Sequence, residues 1–348
     1  MRQKTAKRLI NCSIPISTCN LKCHYCYITQ HGKRENRLVK FDCSPEDIGR
    51  ALSVDRLGGE CIFNLCGFGE TLMVKELPEI IYYLAKQGHY LEIVTNATLT
   101  KAIDEILKMD TTILAQLEFK CSFHYLELKR LNLLDTYITN VNKLRKNGCS
   151  ITVELVPNDE LIPYIDELKK VCIENFGALC HLTVGRDDRS EDKHILTKIA
   201  LDEYQKIWNE FDSDLFAFKL RTFEVPRKEF CYAGDWSLVV DLSTGEMRKC
   251  YKTEAFFNIY KNINEPIPFE AIGCHCLEPH CFNAHAYLTL GNIPELETPT
   301  YANMRNRLCE DGSEWLNPGC REFLSGKFRD VNKQYGFFKR LGINLKSR

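Results

Sequence analysis

The stretch RLINCSIPISTCNLKCHYCYI, Arg8 to Ile28, joins a strand-like apolar run to three cysteines, Cys19, Cys23 and Cys26, spaced CxxxCxxC. If the run is a strand, the thiols gather just past its C-terminal end. The fold then turns on whether such strand units repeat along the chain. Five further strand-like runs lie downstream: CIFNLC, YLEIVTN, LAQLEFKCSF, SITVELV and HLTVG. Helix-like segments separate them, with clear punctuation. Ser44 and Pro45 open one that ends near Gly58, and ELPEIIYYLAKQ stops at Gly88. Thr100 can cap TKAIDEILKM, Gly148 ends DTYITNVNKLRKN, and Asp159 precedes a segment reaching Gly177. Six strand-helix repeats predict an α/β fold with a parallel sheet, either an open doubly wound sheet or a full or partial (β/α) barrel. In each of these, chemistry belongs at the C-terminal strand ends.

Composition narrows the function classes. The 348 residues carry 46 basic and 47 acidic side chains, without a long basic run, so a nucleic-acid partner has no electrostatic support. No apolar span is long enough for a membrane helix, and MRQKTAKRLI lacks the continuation of a signal peptide. Eighteen cysteines in a large chain without an export signal fit reduced thiols and metal clusters in the cytoplasm better than disulfides.

Three thiolates on one loop can hold three irons of a four-iron cluster and leave the fourth iron open. A structural zinc site would ask for four protein ligands, and a CxxC redox pair leaves the third thiol unused. CxxxCxxC with Tyr25 before its last cysteine resembles the radical S-adenosylmethionine (radical SAM) superfamily. Further motifs carry the resemblance. The second strand ends in CGFGET, where Gly67, Gly69 and Glu70 resemble that family's GGE motif, with Phe68 in place of its middle glycine. The third ends in VTNATL, the fourth in KCSFHY. The resemblance spans roughly residues 8 to 215 and implies a partial (β/α)6 barrel. It implies that Gly67, Gly69 and Glu70 hold the amino group of S-adenosylmethionine and that Thr95 and Asn96 bond its ribose. Ser122 and His124 would touch the cofactor or lie beside the substrate, and Glu154, Val156 and Arg186 would face the same mouth. Without the resemblance, GFG reads as a turn, Thr95 and Asn96 as a helix cap, and His124 as a structural histidine. Cys66 and Cys121, both near strand ends, are candidate hydrogen-atom donors to a substrate radical, with core packing the plainer reading.

After about residue 215 the pattern changes. RTFEVPRKEFCYAGDWSLVVDLSTGEMRKCY reads as a loop and a hairpin turning at Ser243, Thr244 and Gly245. Cys231, Gly245 and Cys250 resemble the opening of the SPASM and twitch extensions of radical SAM enzymes, which bind auxiliary clusters. Such a hairpin brings two distant thiols together, and GCHCLEPHC can complete the set. The expected ligands of one auxiliary four-iron cluster are Cys231, Cys250, Cys276 and Cys281, with Cys274, His285 and Cys309 as substitutes; four thiolates would also suit zinc. The remaining cysteines, among them Cys12, Cys61, Cys149, Cys172 and Cys180, read as small buried apolar groups.

The expected organisation is a barrel over 1–215, a cluster-binding extension over 216–290 and a helical tail over 291–348. That tail, with Arg305, Arg307 and Trp315, would close the barrel or bind a partner. The cofactors implied are a [4Fe-4S] cluster, S-adenosylmethionine and one auxiliary [4Fe-4S] cluster, served by an external one-electron donor such as flavodoxin or ferredoxin. With 18 residues before Cys19, no fused peptide-recognition domain is expected ahead of the barrel. The substrate expectation leans to a peptide or protein side chain, with carbohydrate oxidation or epimerisation next. A non-catalytic iron–sulfur electron carrier is the competitor from another class.

Overall fold

Each of the six apolar runs becomes a strand. In the computed structural model, which describes residues 4–32, 35–189 and 193–346, these are β1 (Leu9–Ile14), β2 (Ile62–Gly67), β3 (Tyr90–Thr95), β4 (Leu117–Ser122), β5 (Ser150–Leu155) and β6 (His181–Leu182). They pair in parallel in sequence order. Their register sets Cys12 beside Leu65, and Thr95 beside Cys121. The sheet is open rather than closed, as a partial barrel requires. The two ends of the chain, 1–3 and 347–348, and residues 190–192 within the expected barrel lie outside the described residues.

The helices form where the punctuation placed them, with two differences. The segment after Ser44 breaks into Pro45–Ala51 and Val54–Leu57, because the Ser53 side chain caps the second piece; it closes on Gly58 in the left-handed region. Thr100 is the first residue of its helix rather than the cap, and Leu99 holds that position without a side-chain bond.

The hairpin turns where expected, β7 (Ser237–Asp241) running into β8 (Glu246–Arg248), with β9 (Ala255–Asn258) behind. No hairpin motif specifies where it docks. β7 pairs in parallel with β1, so the extension continues the barrel sheet from its first edge and covers the backbone groups β1 would expose there.

The tail enters the barrel. Arg305, with no exposed surface, lies 3.1 Å from Glu92 on β3 and 2.8 Å from Glu154 on β5, and Lys120 on β4 stands 3.3 Å from Glu154. Side chains alternate along a strand, so Glu118, Lys120 and Ser122 point into the barrel while Leu117, Phe119 and Cys121 pack under the helices. The interior is thus polar and charged, and the apolar core lies in the layer outside it. Burial, and then the charge of Glu92, pushes the Glu118 carboxyl up to about 8. A folded-state value above the ordinary 4.5 means that Glu118 favours folding fully below about pH 4.5 and loses that contribution as pH rises towards 8. Glu118→Gln should therefore flatten the fall in stability between pH 5 and 8, followed by urea melts at each pH; an unchanged slope would place the titration elsewhere.

Candidate active site

The loop after β1 is shaped by its own backbone. The Cys26 amide donates to the Cys23 carbonyl at 3.3 Å, and the Thr29 hydroxyl donates to the same carbonyl at 2.8 Å. Gln30 Nε2 donates to the Tyr25 carbonyl at 2.8 Å. These bonds fix the backbone between Cys23 and Cys26.

The GFGE loop at the end of β2 is bonded onto this segment. Amides of Phe68, Gly69 and Glu70 donate to the carbonyls of Ile14, Ile16 and Thr18 at 3.1, 2.5 and 2.9 Å. A Cβ on Gly69 would stand 2.0 Å from the Thr18 oxygen, and one on Gly67 2.8 Å from Ile16 Cγ2. The glycines are needed for contact between two protein loops, where the motif alone suggested approach to a ligand. Gly69→Ala should displace the loop and cost about 1–3 kcal/mol, measurable by chemical denaturation; a wild-type midpoint would contradict the close packing.

Glu70, 2% exposed, accepts from Thr95 Oγ1 at 2.5 Å, from the Asn96 amide at 2.8 Å and from the Leu72 amide at 3.0 Å. Burial raises its carboxyl above the ordinary value, and these bonds oppose the rise. Thr95 and Asn96, expected to meet a ribose, here orient Glu70. The Asn96 side chain donates to Asn20 Oδ1 at 2.8 Å and lies 3.9 Å from Cys19 Sγ.

These groups line one cavity of about 180 Å³, shared by Cys19, Cys23, Cys26, Gly67, Gly69, Glu70, Thr95, Asn96, Ser122 and His124. His124 Nδ1 is 2.7 Å from the Tyr25 hydroxyl, and burial lowers the imidazole to about 4, so the ring is neutral at pH 7.

Other candidates stand elsewhere. Cys121 is fully buried on the helix side of β4, its thiol 3.5 Å from the Phe119 carbonyl, and cannot meet a substrate radical in the mouth. Cys66, two residues from the inward-facing Asn64, lines the cavity instead. Glu154 is held by Arg305 and Lys120; burial would raise its carboxyl, but these cations bring it to about 2. Val156 abuts Gly185, and Arg186 lies over the Phe282 ring, its guanidinium 5.3 Å from the ring centre. None of these three lines the cavity of the cysteine loop.

Cys231, Cys250, Cys276 and Cys281 line a second cavity, of about 40 Å³, with Tyr251, Tyr287 and Leu288. Paired hydrogen bonds to Gly273 fix the Cys231 backbone. Burial pushes the Cys231 thiol up to about 12 and that of Cys250 to about 11, so any cation bound there must displace protons. Cys274 is exposed, its amide and thiol against the Asn344 side chain. Cys309 packs near Phe176 on another part of the molecule, and neither residue lines this cavity. Tyr251 and Tyr287 bond Asn11 on β1 at 3.2 and 3.0 Å, tying this cavity to the barrel interior. Among the described residues no three His, Cys, Asp or Glu converge on a point close enough for a single metal ion. Ligands of an iron–sulfur cluster, each on its own iron, stand farther apart than those of one ion.

With this geometry in place, one family model matches part of the chain. Residues 13–168 match the Radical SAM superfamily. The matched stretch contains the three-cysteine loop, the GFGE turn, Thr95, Asn96 and His124. Among solved structures, Streptococcus suis SuiB bound to S-adenosylmethionine is similar at 19% identity and TM-score 0.52, over 73% of this chain and 64% of SuiB. SuiB bound to its precursor peptide SuiA is similar at 20% identity and TM-score 0.50, over 73% and 63%. A likeness at this identity is one of fold, and the chain spans less than two thirds of SuiB. No curated protein matches the chain in sequence. Among the described residues no helix is long and apolar enough to cross a membrane.

Proposed function

We propose that this radical SAM domain serves an enzyme that cleaves S-adenosylmethionine reductively and removes a hydrogen atom from a substrate, with a peptide or protein side chain as the favoured target. One observation carries the reading: three spaced thiols, an acceptor carboxylate and a neutral imidazole face a single cavity at the C-terminal ends of parallel strands. The donor set fits the family's cofactors. Cys19, Cys23 and Cys26 would hold a [4Fe-4S] cluster by three irons, and Glu70 would accept the S-adenosylmethionine ammonium group. When bound, cluster and cofactor supply a one-electron cleavage to methionine and a 5'-deoxyadenosyl radical. The chain's part is placement: Thr95 and Asn96 hold Glu70, Asn96 Nδ2 points towards the Cys19 sulfur, and Leu21 and Ile28 line the cavity beside the thiols.

In the same reading the extension over 216–290 holds one auxiliary [4Fe-4S] cluster by Cys231, Cys250, Cys276 and Cys281, and an external one-electron donor serves the barrel cluster. A peptide target is supported by the fold neighbour SuiB, described with its precursor peptide. After anaerobic reconstitution the protein should hold about eight irons per chain, and Cys250→Ala about four; an unchanged count in the variant would disprove the auxiliary site. Deuterated candidate peptides should pass deuterium into 5'-deoxyadenosine. Transfer from deuterated sugars alone would replace the peptide reading with carbohydrate chemistry.

A further inference from the structure

Against the second cysteine-lined cavity, with which it shares His280, Cys281 and Phe282, lies a third, of about 10 Å³, walled also by Arg186 and Lys219. Its volume suits one oxygen-sized atom. Arg186 follows β6, and its carbonyl accepts from Gln30 Nε2 at 3.0 Å, which ties it to the three-cysteine loop. Its guanidinium lies over Phe282 and, among the described residues, pairs with no carboxylate. Lys219, from the helix Asp214–Thr222, donates to the Thr183 hydroxyl. His280 is 2% exposed, and neither of its ring nitrogens has a hydrogen-bond partner. The acids nearby are committed: Glu154 to Arg305 and Lys120, Glu224 to His194.

A guanidinium, a lysine amine that burial lowers to about 7 against the opposing charge of Glu154, and a buried imidazole therefore face one small space beside Cys281. Gathering basic groups is unfavourable, and so is a buried donor left unpaired. An anionic oxygen would relieve both. A guanidinium fork beside an ammonium is suited to a carboxylate or a phosphate. We infer that Arg186, Lys219 and His280 form the seat of an anionic group on the substrate, one oxygen of which enters this space from the barrel mouth. The inference rests on the proposed function for the word substrate, and it moves Arg186 from the cofactor to the specificity of the reaction.

The test is isothermal titration of the reconstituted protein, saturated with S-adenosylmethionine, with glutarate, inorganic phosphate and neutral glutaramide. At least one anion should bind with unit stoichiometry, and Arg186→Gln and Lys219→Gln should each weaken it at least tenfold. Preference for glutarate assigns a carboxylate; preference for phosphate assigns a phosphorylated substrate. The inference is overturned if neither anion binds, if glutaramide binds as well, or if both variants bind like wild type. Circular dichroism checks both variants, and Arg186→Gln carries the test should Lys219→Gln fail to fold. Cofactor cleavage by the wild type is measured separately, so its failure would sink the catalytic reading while leaving the binding result to stand.

Discussion

Replacing Arg305 with Met should cost about 3–5 kcal/mol of stability, because it leaves charged groups buried without their partner. Arg305 is wholly enclosed, donating to Glu154 at 2.8 Å and to the Tyr301 hydroxyl at 3.0 and 2.8 Å, and it lies 3.1 Å from Glu92. Tyr301 in turn donates to Glu92 at 2.5 Å. The loss is comparable to the whole margin of many domains. Lysine would not restore it, since one ammonium cannot reproduce the planar fork. Urea denaturation of the two variants measures this directly. Adding Glu92→Gln to Arg305→Met should recover part of the loss; no recovery would show that packing rather than charge is at stake.

The second large effect is functional. Cys23→Ala should reduce S-adenosylmethionine cleavage to the uncatalysed background while the fold persists. Cys23 is 7% exposed, and its burial pushes the thiol up to about 12. Coordination would stabilise the thiolate there, so the alanine variant should remain folded yet hold one cluster fewer. Cys172→Ala serves as the control, since Cys172 is buried in the helix Ile165–Phe176. Retained cleavage in Cys23→Ala would remove the barrel site from the account.

Much of this was legible in the sequence because strand ends and turns are local. Apolar runs bounded by Gly58, Gly88, Gly148 and Gly177 gave the strand-helix order, and GFGE, TNAT and SFHY fell at strand ends where a parallel sheet collects them. The parallel pairing of β7 with β1 was not legible, because a hairpin specifies its own two strands and not the edge on which they dock. Nor was the charged interior read, although its signal was present: Glu92, Glu118, Lys120 and Glu154 interrupt apolar strands at alternate positions. The same alternation would have turned Cys121 outward once Lys120 and Ser122 were taken as inward. Arg305 lies 151 residues from Glu154 in sequence, and no local pattern announces such a pairing. His280 lies inside GCHCLEPHC, where the thiols carry the pattern; only its enclosure without a partner sets it apart.

The central claim is that the cavity of Cys19, Cys23, Cys26 and Glu70 is a cofactor-cleaving site. The direct measurement is 5'-deoxyadenosine formed by the anaerobically reconstituted, reduced protein given S-adenosylmethionine. The account predicts formation of 5'-deoxyadenosine and methionine by the wild type and none by Cys23→Ala. A wild-type protein that takes up its irons yet yields no 5'-deoxyadenosine, with or without candidate substrates, would contradict it and leave an electron carrier in its place.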